Sequence, residues 1–202
     1  NIKARPIGYA KNNPSKNSSI SSRNMAVLGT LILVFIVTHM VNFWAKMHFE
    51  ENMPLQTVTV EAMGQKQELY LTTNEGYLPV AQIAKSYEDA TKTGAQSYIA
   101  NKTEFYNTQA KVKIGEGYKD LHKITVAFFQ DAKFGLIATI LYVIAMAVLA
   151  FHLLHGFSSA FQSLGLNNPN WTPKIKFFGA AFAIVVPLLF AIIPVYIHFF
   201  LK

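Results

Sequence analysis

Residues 25–45, MAVLGTLILVFIVTHMVNFWA, decide the fold class, because all 21 of them are uncharged and most are apolar. A helix needs about 20 apolar residues to cross the hydrocarbon core of a bilayer. Two further stretches, residues 134–165 and 177–201, also lack Asp, Glu, Lys and Arg. Three such stretches in 202 residues predict an all-α membrane protein, a transmembrane helix bundle with a small α/β connector.

The composition excludes several other classes of protein. Apolar residues make up 51% of the chain and charged residues only 14%, against about a quarter in soluble proteins. The chain has no Cys, which excludes disulfides, thiolate metal sites, iron–sulfur ligation and cysteine nucleophiles. No carboxylate lies inside the three apolar stretches, which argues against an ion or proton transporter. The sequence also lacks the Gly-rich fingerprint of a dinucleotide site.

The charged residues predict the topology. All 11 acidic residues lie between Glu50 and Asp131, whereas residues 1–23 and 166–176 contain Lys or Arg and no acid. An excess of Lys and Arg on short loops marks the cytoplasmic side of a membrane. We therefore expect these two segments in the cytoplasm, with the long connector and the C-terminus outside. The net charge of +7 reflects this topology and does not indicate nucleic-acid binding.

These signals divide the chain into seven predicted segments. They are a cytoplasmic lead at 1–23, a transmembrane helix at 24–47, a periplasmic connector at 48–117, an interfacial amphipathic helix at 118–133, a transmembrane helix at 134–165, a cytoplasmic link at 166–176 and a transmembrane helix at 177–201. The helix at 118–133 has its apolar residues at helical spacing, which suits the outer membrane interface or, alternatively, the surface of the connector.

Within the connector, LQTVTVEAM and KQELYLTT predict two short strands around Gly64 and Gln65. The segment PVAQIAKSYEDATK, residues 79–92, predicts a helix, and residues 95–117 favour no single structure. At the start of the first transmembrane helix, Ser21 and Ser22 are placed to cap its N-terminus. Pro187 and Pro194 predict a bend in the third transmembrane helix, because each removes a backbone donor.

Four of the six histidines lie within apolar stretches: His39, His152, His155 and His198. Ionisable residues at membrane depth are costly and usually functional, and a neutral imidazole is a natural axial ligand for haem iron. At ~1.5 Å per residue, His39 lies about 22 Å along the first span, in its outer half. His155 lies in the inner half of the second span, which runs in the opposite direction. Two imidazoles at different depths predict two stacked haems, each completed by another ligand.

The residues leave alternatives open at these positions. His152 lies one turn before His155 and is a candidate iron ligand, a partner for a propionate or quinone, or a polar link between helices. The competing interpretation of His39 is a buried histidine that bonds a neighbouring helix. His198 fits an interfacial position among aromatic residues, and His48 and His122 fit the outer surface.

Two stretches resemble the cytochrome b subunit of bacterial succinate dehydrogenase and fumarate reductase, of the single-chain, five-helix, di-haem type. They are SSRNMAVLGTLILVFIVTHMVNFWAKM and FHLLHGFSSAFQSLGLNNPNWTP. The resemblance covers residues 18–49 and 118–202 and is most specific from Phe151 to Pro173. The family's first two helices, each with a haem ligand, are not in this sequence, and we expect them before Asn1 or in another chain.

The resemblance implies a haem b-binding membrane anchor of succinate:quinone oxidoreductase, a respiratory complex of the bacterial inner membrane and the tricarboxylic acid cycle. It implies that His39 binds the outer haem iron and His155 the inner haem iron, with two haems b shared with the missing helices. The partners it implies are a flavoprotein and an iron–sulfur subunit, and the substrate is a quinone, with menaquinone expected. The flavin chemistry would belong to the partners, so this chain has no catalytic residue of its own.

Arg23, at the inner mouth of the first span, is a candidate partner for the propionates of the inner haem, or a simple cytoplasmic anchor. Two other functions compete with the anchor. One is the haem b subunit of a different quinone-linked respiratory enzyme. The other is a haem-free structural anchor or carrier, in which the histidines only bridge helices.

Overall fold

A computed structural model of the chain describes residues 20–51, 53–62, 64–166 and 168–201. Three of its helices are long and apolar enough to cross a membrane: Met25–Phe49, Gly135–Ser163 and Thr172–Phe199. In chain order the elements are α1 (Ile20–Arg23), α2 (Met25–Phe49), β1 (Thr57–Ala62), β2 (Gln65–Leu71), β3 (Tyr77–Pro79), β4 (Ile83–Ala84), α3 (Tyr87–Thr93), β5 (Ser97–Ala100), β6 (Glu104–Asn107), β7 (Lys113–Glu116), α4 (Leu121–Phe129), α5 (Gly135–Ser163) and α6 (Thr172–Phe199). The helix α6 begins before the predicted residue 177.

The helix α2 is not uniform along its length. It is an α-helix over Met25–His39, a π-helix over Met40–Ala45 and an α-helix again over Lys46–Phe49. The predicted serine cap is wrong, because Ser21 and Ser22 lie inside α1 and a turn at Asn24 separates α1 from α2.

The chain forms two compact units, which divide inside α2 and at the end of α4. The helical unit contains the chain up to Val37 and from Phe129 onward, and so includes α5 and α6. The lobe unit is Thr38–Phe128, which contains the end of α2 and all seven strands.

In the helical unit, α5 and α6 pack through small residues. Gly179, Ala183 and Pro187 are buried at four-residue spacing on one side of α6, as in the small-residue interfaces of membrane helices. The Phe157 ring of α5 lies so close to Gly179 that a Cβ atom there would overlap it. The α-helix continues through Pro187 and Pro194, and both prolines are buried.

The lobe unit contains two small sheets. Strands β1, β2 and β3 form an antiparallel sheet in that order, and β4, β5, β6 and β7 form a second sheet in which only the β4–β5 pair is parallel. The predicted hairpin is therefore confirmed, with Ala62 opposite Gln65 at its turn. Phe105 of β6 is completely buried and lies 5.3 Å from the Tyr70 ring, centroid to centroid.

The predicted helix at 79–92 is wrong over its first half. Residues Val80–Gln82 form a 3₁₀ turn, and Ile83–Ala84 form β4, which pairs with β5. The α-helix starts only after Ser86, whose hydroxyl accepts the Asp89 N–H at 3.2 Å and caps α3. Strand pairing with residues 97–98 has overridden the local helical periodicity.

Candidate functional site

His39 is the last α-helical residue before the π-helical segment of α2. Its side chain is exposed in this chain, and its ring lies 5.0 Å from the ring of Phe43. Phe43 is buried and packs edge-on against Phe128 of α4 at 5.2 Å. Single-turn π segments inside α-helices are rare and frequently occur at functional sites. His39 therefore presents an accessible imidazole beside an unusual turn of an apolar helix.

His155 lies on α5 and is partly exposed, so its imidazole also has an accessible surface. The neighbouring Ser158 hydroxyl donates to the His155 carbonyl oxygen at 3.3 Å, which uses that hydroxyl within the helix. An imidazole that is partly open on an apolar helix can donate a nitrogen lone pair to a metal.

His152 differs from His155, although both lie on α5 one turn apart. Its Cε1 atom is 3.7 Å from the position that a Cβ atom on Gly29 would occupy, so the ring packs where α2 has no side chain. Its Nδ1 atom is buried and has no hydrogen-bond partner among the described residues. A histidine that binds metal normally bonds its other ring nitrogen to a carbonyl or carboxylate. The Nδ1 atom of His152 lacks such a bond among the described residues.

The remaining candidates lie at the helix ends. Arg23 is exposed at the end of α1, just before α2 begins. His198 Nδ1 lies 2.6 Å from the Phe129 carbonyl oxygen, and this hydrogen bond links the end of α6 to the end of α4. The His48 ring stacks on Trp44 at 4.5 Å, and its Nδ1 lies 2.8 Å from the Trp44 carbonyl oxygen. His122 is exposed on α4.

Two lysines that the sequence patterns did not single out contact the end of α2. Lys102 donates from Nζ to the His48 carbonyl oxygen at 2.9 Å, and Lys119 donates to the Met47 carbonyl oxygen at 2.6 Å. The lysines are 54 and 72 residues away from their acceptors. A separation of this size leaves no local signal in the sequence.

The turn that carries Lys102 is held by a cluster of charged side chains. Asn101 donates to Glu104 at 2.6 Å, and Lys113 bridges Glu104 at 2.5 Å and Glu116 at 3.2 Å. The hydrogen bonds that Lys113 and Asn101 donate lower the pKa of the Glu104 carboxyl, and the bond that Lys113 donates to Glu104 raises the pKa of Lys113. Asn101 and Lys102 both have left-handed backbones, with φ of 47° and 73°. Such a conformation costs a non-glycine residue about 1–2 kcal/mol.

The predicted haem ligands are divided between the two compact units. His152 and His155 share one face of α5 in the helical unit, whereas His39 belongs to the lobe unit. Comparisons with models of known protein families, with characterised proteins and with solved structures find no match for this chain. The resemblance to succinate dehydrogenase therefore stays a prediction from the residues.

Proposed function

We propose that this chain is a haem b-binding membrane anchor of a succinate:quinone oxidoreductase in the bacterial inner membrane. The observation that carries the proposal is the exposed imidazole of His39 at the end of the uncharged, mostly apolar segment Met25–His39, within a sequence that resembles this family. The proposal has three parts, which are membrane insertion, haem ligation and partnership with catalytic subunits.

Membrane insertion is supported by the side chains that α2, α5 and α6 expose. Large apolar residues such as Leu33, Ile140 and Phe190 are about half exposed or more. Exposing this much apolar surface to water is unfavourable by about 25 cal/mol per Å². Lipid chains remove that penalty, and the length of each helix matches a bilayer.

Haem ligation is supported by the donor set. His39 and His155 are imidazoles with accessible surface on mostly apolar helices, and each would hold the iron of a separate haem. Haem, when bound, would supply one-electron redox chemistry. The protein would orient each imidazole through its helix and exclude water through the surrounding apolar side chains. Arg23 would offer a positive charge to a propionate at the inner end of α2.

The partners in this proposal carry the dicarboxylate chemistry. An iron–sulfur subunit would lie on the cytoplasmic side, the side on which His155 would hold a haem, and a flavoprotein would act on succinate or fumarate. A membrane quinone, with menaquinone expected, would be the other electron carrier. Partners that co-purify test this part, since a flavoprotein distinguishes this complex from other quinone-linked respiratory enzymes.

The decisive experiment measures haem in the complete membrane subunit, purified with its native partners. The wild-type complex should give a low-spin bis-imidazole b-type spectrum and two haems in a pyridine haemochrome assay. His155→Ala should remove the inner haem and leave the outer, and His39→Ala should do the reverse. His122→Ala is the matched control and should keep both haems.

Three results would contradict parts of the proposal. A wild-type complex without haem would favour the haem-free anchor or carrier. An unchanged haem count in His155→Ala, with haem loss in His152→Ala, would contradict the assignment of His155 as the ligand. The chain would still be a haem-binding protein. Co-purification with a molybdenum-containing subunit in place of a flavoprotein would move the chain to another respiratory enzyme.

A further inference from the structure

The end of α2 is held by the lobe through charged hydrogen bonds. The last carbonyl groups of a helix have no partner inside the helix and carry its partial negative charge. Two of these carbonyls, on Met47 and His48, accept the ammonium groups of Lys119 and Lys102. Charge-assisted hydrogen bonds are shorter and stronger than neutral ones. The two lysines therefore contact α2 where a positive charge stabilises it most.

The backbone around Lys102 is arranged to present this side chain. Lys102 and the preceding Asn101 both adopt left-handed conformations, which are unusual outside glycine. The side-chain bond from Asn101 to Glu104 fixes this turn, and Lys113 anchors Glu104 from the next strand. These residues form the turn between the paired strands β5 and β6, where positive φ is the usual hairpin geometry. The turn places Lys102 where its Nζ reaches the His48 carbonyl oxygen.

The backbone of Lys119 is held by pairing between residues 54–56 and 118–120. The chain that leaves α2 and the chain that returns to α4 pair antiparallel at Leu55 and Lys119. The Gln56 N–H donates to the Tyr118 carbonyl oxygen and the Asp120 N–H to the Pro54 carbonyl oxygen, both at 2.8 Å. These bonds flank Lys119 on both sides, so its backbone is held while its side chain reaches the Met47 carbonyl.

The segment between the lysine contacts and His39 is the irregular part of α2. Its π-helical residues Met40–Ala45 follow His39 directly, and π-helices are rare within α-helices. Phe43, inside this segment, packs against both His39 and Phe128. Unwinding of the π turn would change the helical register between the fixed end of α2 and the His39 ring. The hydrogen bonds from Lys119 and Lys102 to the Met47 and His48 carbonyl oxygens oppose that unwinding.

We propose that Lys102 and Lys119 are positioning residues that hold the π-helical segment in register and thereby fix the orientation of the His39 imidazole. The part that concerns haem rests on the proposed function. The part that concerns the helix end does not, because it follows from contacts within Thr38–Phe128 alone. In this proposal the lobe determines the orientation of the His39 imidazole.

The test compares the complete subunit in its complex with four variants. Lys102→Gln and Lys119→Gln remove the ammonium groups, and Lys102→Arg and Lys119→Arg keep a cation that still donates. Lys66→Gln is the matched control, because the Lys66 side chain is 74% exposed and pairs with Glu61 on the lobe surface. Hydrogen–deuterium exchange of residues 40–49 measures the helix end without requiring haem. The low-spin ferric EPR signal of each haem measures the relative orientation of its axial imidazoles.

Each Gln variant should speed exchange of residues 40–49 about tenfold, the lower bound for losing a charged hydrogen bond. It should also shift the g values of the haem lost in His39→Ala and leave the other haem unchanged. The Arg variants should restore both readouts, and Lys66→Gln should change neither.

Unchanged exchange of residues 40–49 in both Gln variants would contradict the claim that Lys102 and Lys119 stabilise the end of α2. Faster exchange with unmoved g values would overturn the positioning of His39. A wild-type complex without haem would defeat the proposed function, and faster exchange there would still support the hold on the helix end.

Discussion

The two compact units differ in the balance of side chains that they bury and expose. The lobe unit buries large apolar residues, with Phe105 fully buried and Leu55 only 4% exposed, and it places its ion pairs at the surface. The helical unit buries the small residues Gly179 and Ala183 and a few large ones such as Ile197, but it exposes many large residues such as Phe177. The lobe thus follows the pattern of a protein in water, whereas the helices follow the pattern of a protein in lipid.

In the proposed membrane setting a different force would stabilise each unit. Burial of apolar surface would hold the lobe together in water. Between helices in lipid that force is absent, and close packing of small residues would take its place. Substitutions of the same chemical kind should therefore have different effects in the two units.

The largest effect is expected in the lobe core. Phe105→Ala should destabilise the lobe by about 3–5 kcal/mol, because it removes a fully buried ring and leaves a cavity. Limited proteolysis of the complete subunit should show cleavage between residues 50 and 120. Val60→Ala, at an exposed position of β1, is the control and should leave the lobe resistant. Equal resistance of both variants would mean that Phe105 is not a core residue.

The next prediction tests whether the exposed surface of α6 lies in lipid and that of the lobe in water. Val185→Lys, at an exposed position near the middle of α6, should oppose insertion by about 2.5–3.5 kcal/mol. Val60→Lys makes the same change on the lobe and should cost no more than about 0.5 kcal/mol. The measurement is the fraction of each variant retained in carbonate-washed membranes. Equal retention would contradict a lipid environment for α6.

A smaller effect concerns packing between helices. Gly179→Ala should destabilise the helical unit by about 1–3 kcal/mol, because the new Cβ atom overlaps the Phe157 ring. Gly156→Ala adds the same methyl group to α5, where the nearest atom is the flexible end of Met25 at 3.5 Å. That control should be neutral or mildly stabilising, since Ala favours helix over Gly. Thermal unfolding in detergent would rank them, and the reverse order would contradict the close contact.

The sequence predicted the parts of this fold that local patterns determine. The uncharged runs located α2, α5 and α6, and the turn residue Gly64 located the first hairpin. The segment at 79–92 was misassigned because β4 depends on a partner strand that no local pattern reveals. For the candidate site, the apolar stretches around His39 and His155 identified these two histidines as candidates. The sequence did not reveal which residues contact their rings. The close approach of the His152 ring to Gly29 joins residues that are distant in sequence, so no local pattern reveals it.

The smallest effect concerns Asp131, the last acidic residue before the uncharged run of α5. Its carboxylate accepts the N–H groups of Phe134 and Lys133 at 2.8 and 2.9 Å, and these bonds lower the pKa of the Asp131 carboxyl. A lowered folded-state pKa stabilises the fold fully at pH values above the unfolded pKa of about 3.9, and the contribution is lost as pH falls through the folded value.

Asp131→Asn should therefore lower the melting temperature slightly at neutral pH, and the difference from wild type should shrink as the pH drops below about 3.9. Thermal unfolding across this pH range measures it. Glu61→Gln is the control, because the ion pair of Glu61 with Lys66 is exposed and weak, and it should change little at any pH. A difference for Asp131→Asn that stays constant to low pH would mean that the carboxylate charge does not stabilise the start of α5. The apolar residues of α5 would then determine where this helix starts, without a contribution from the Asp131 charge.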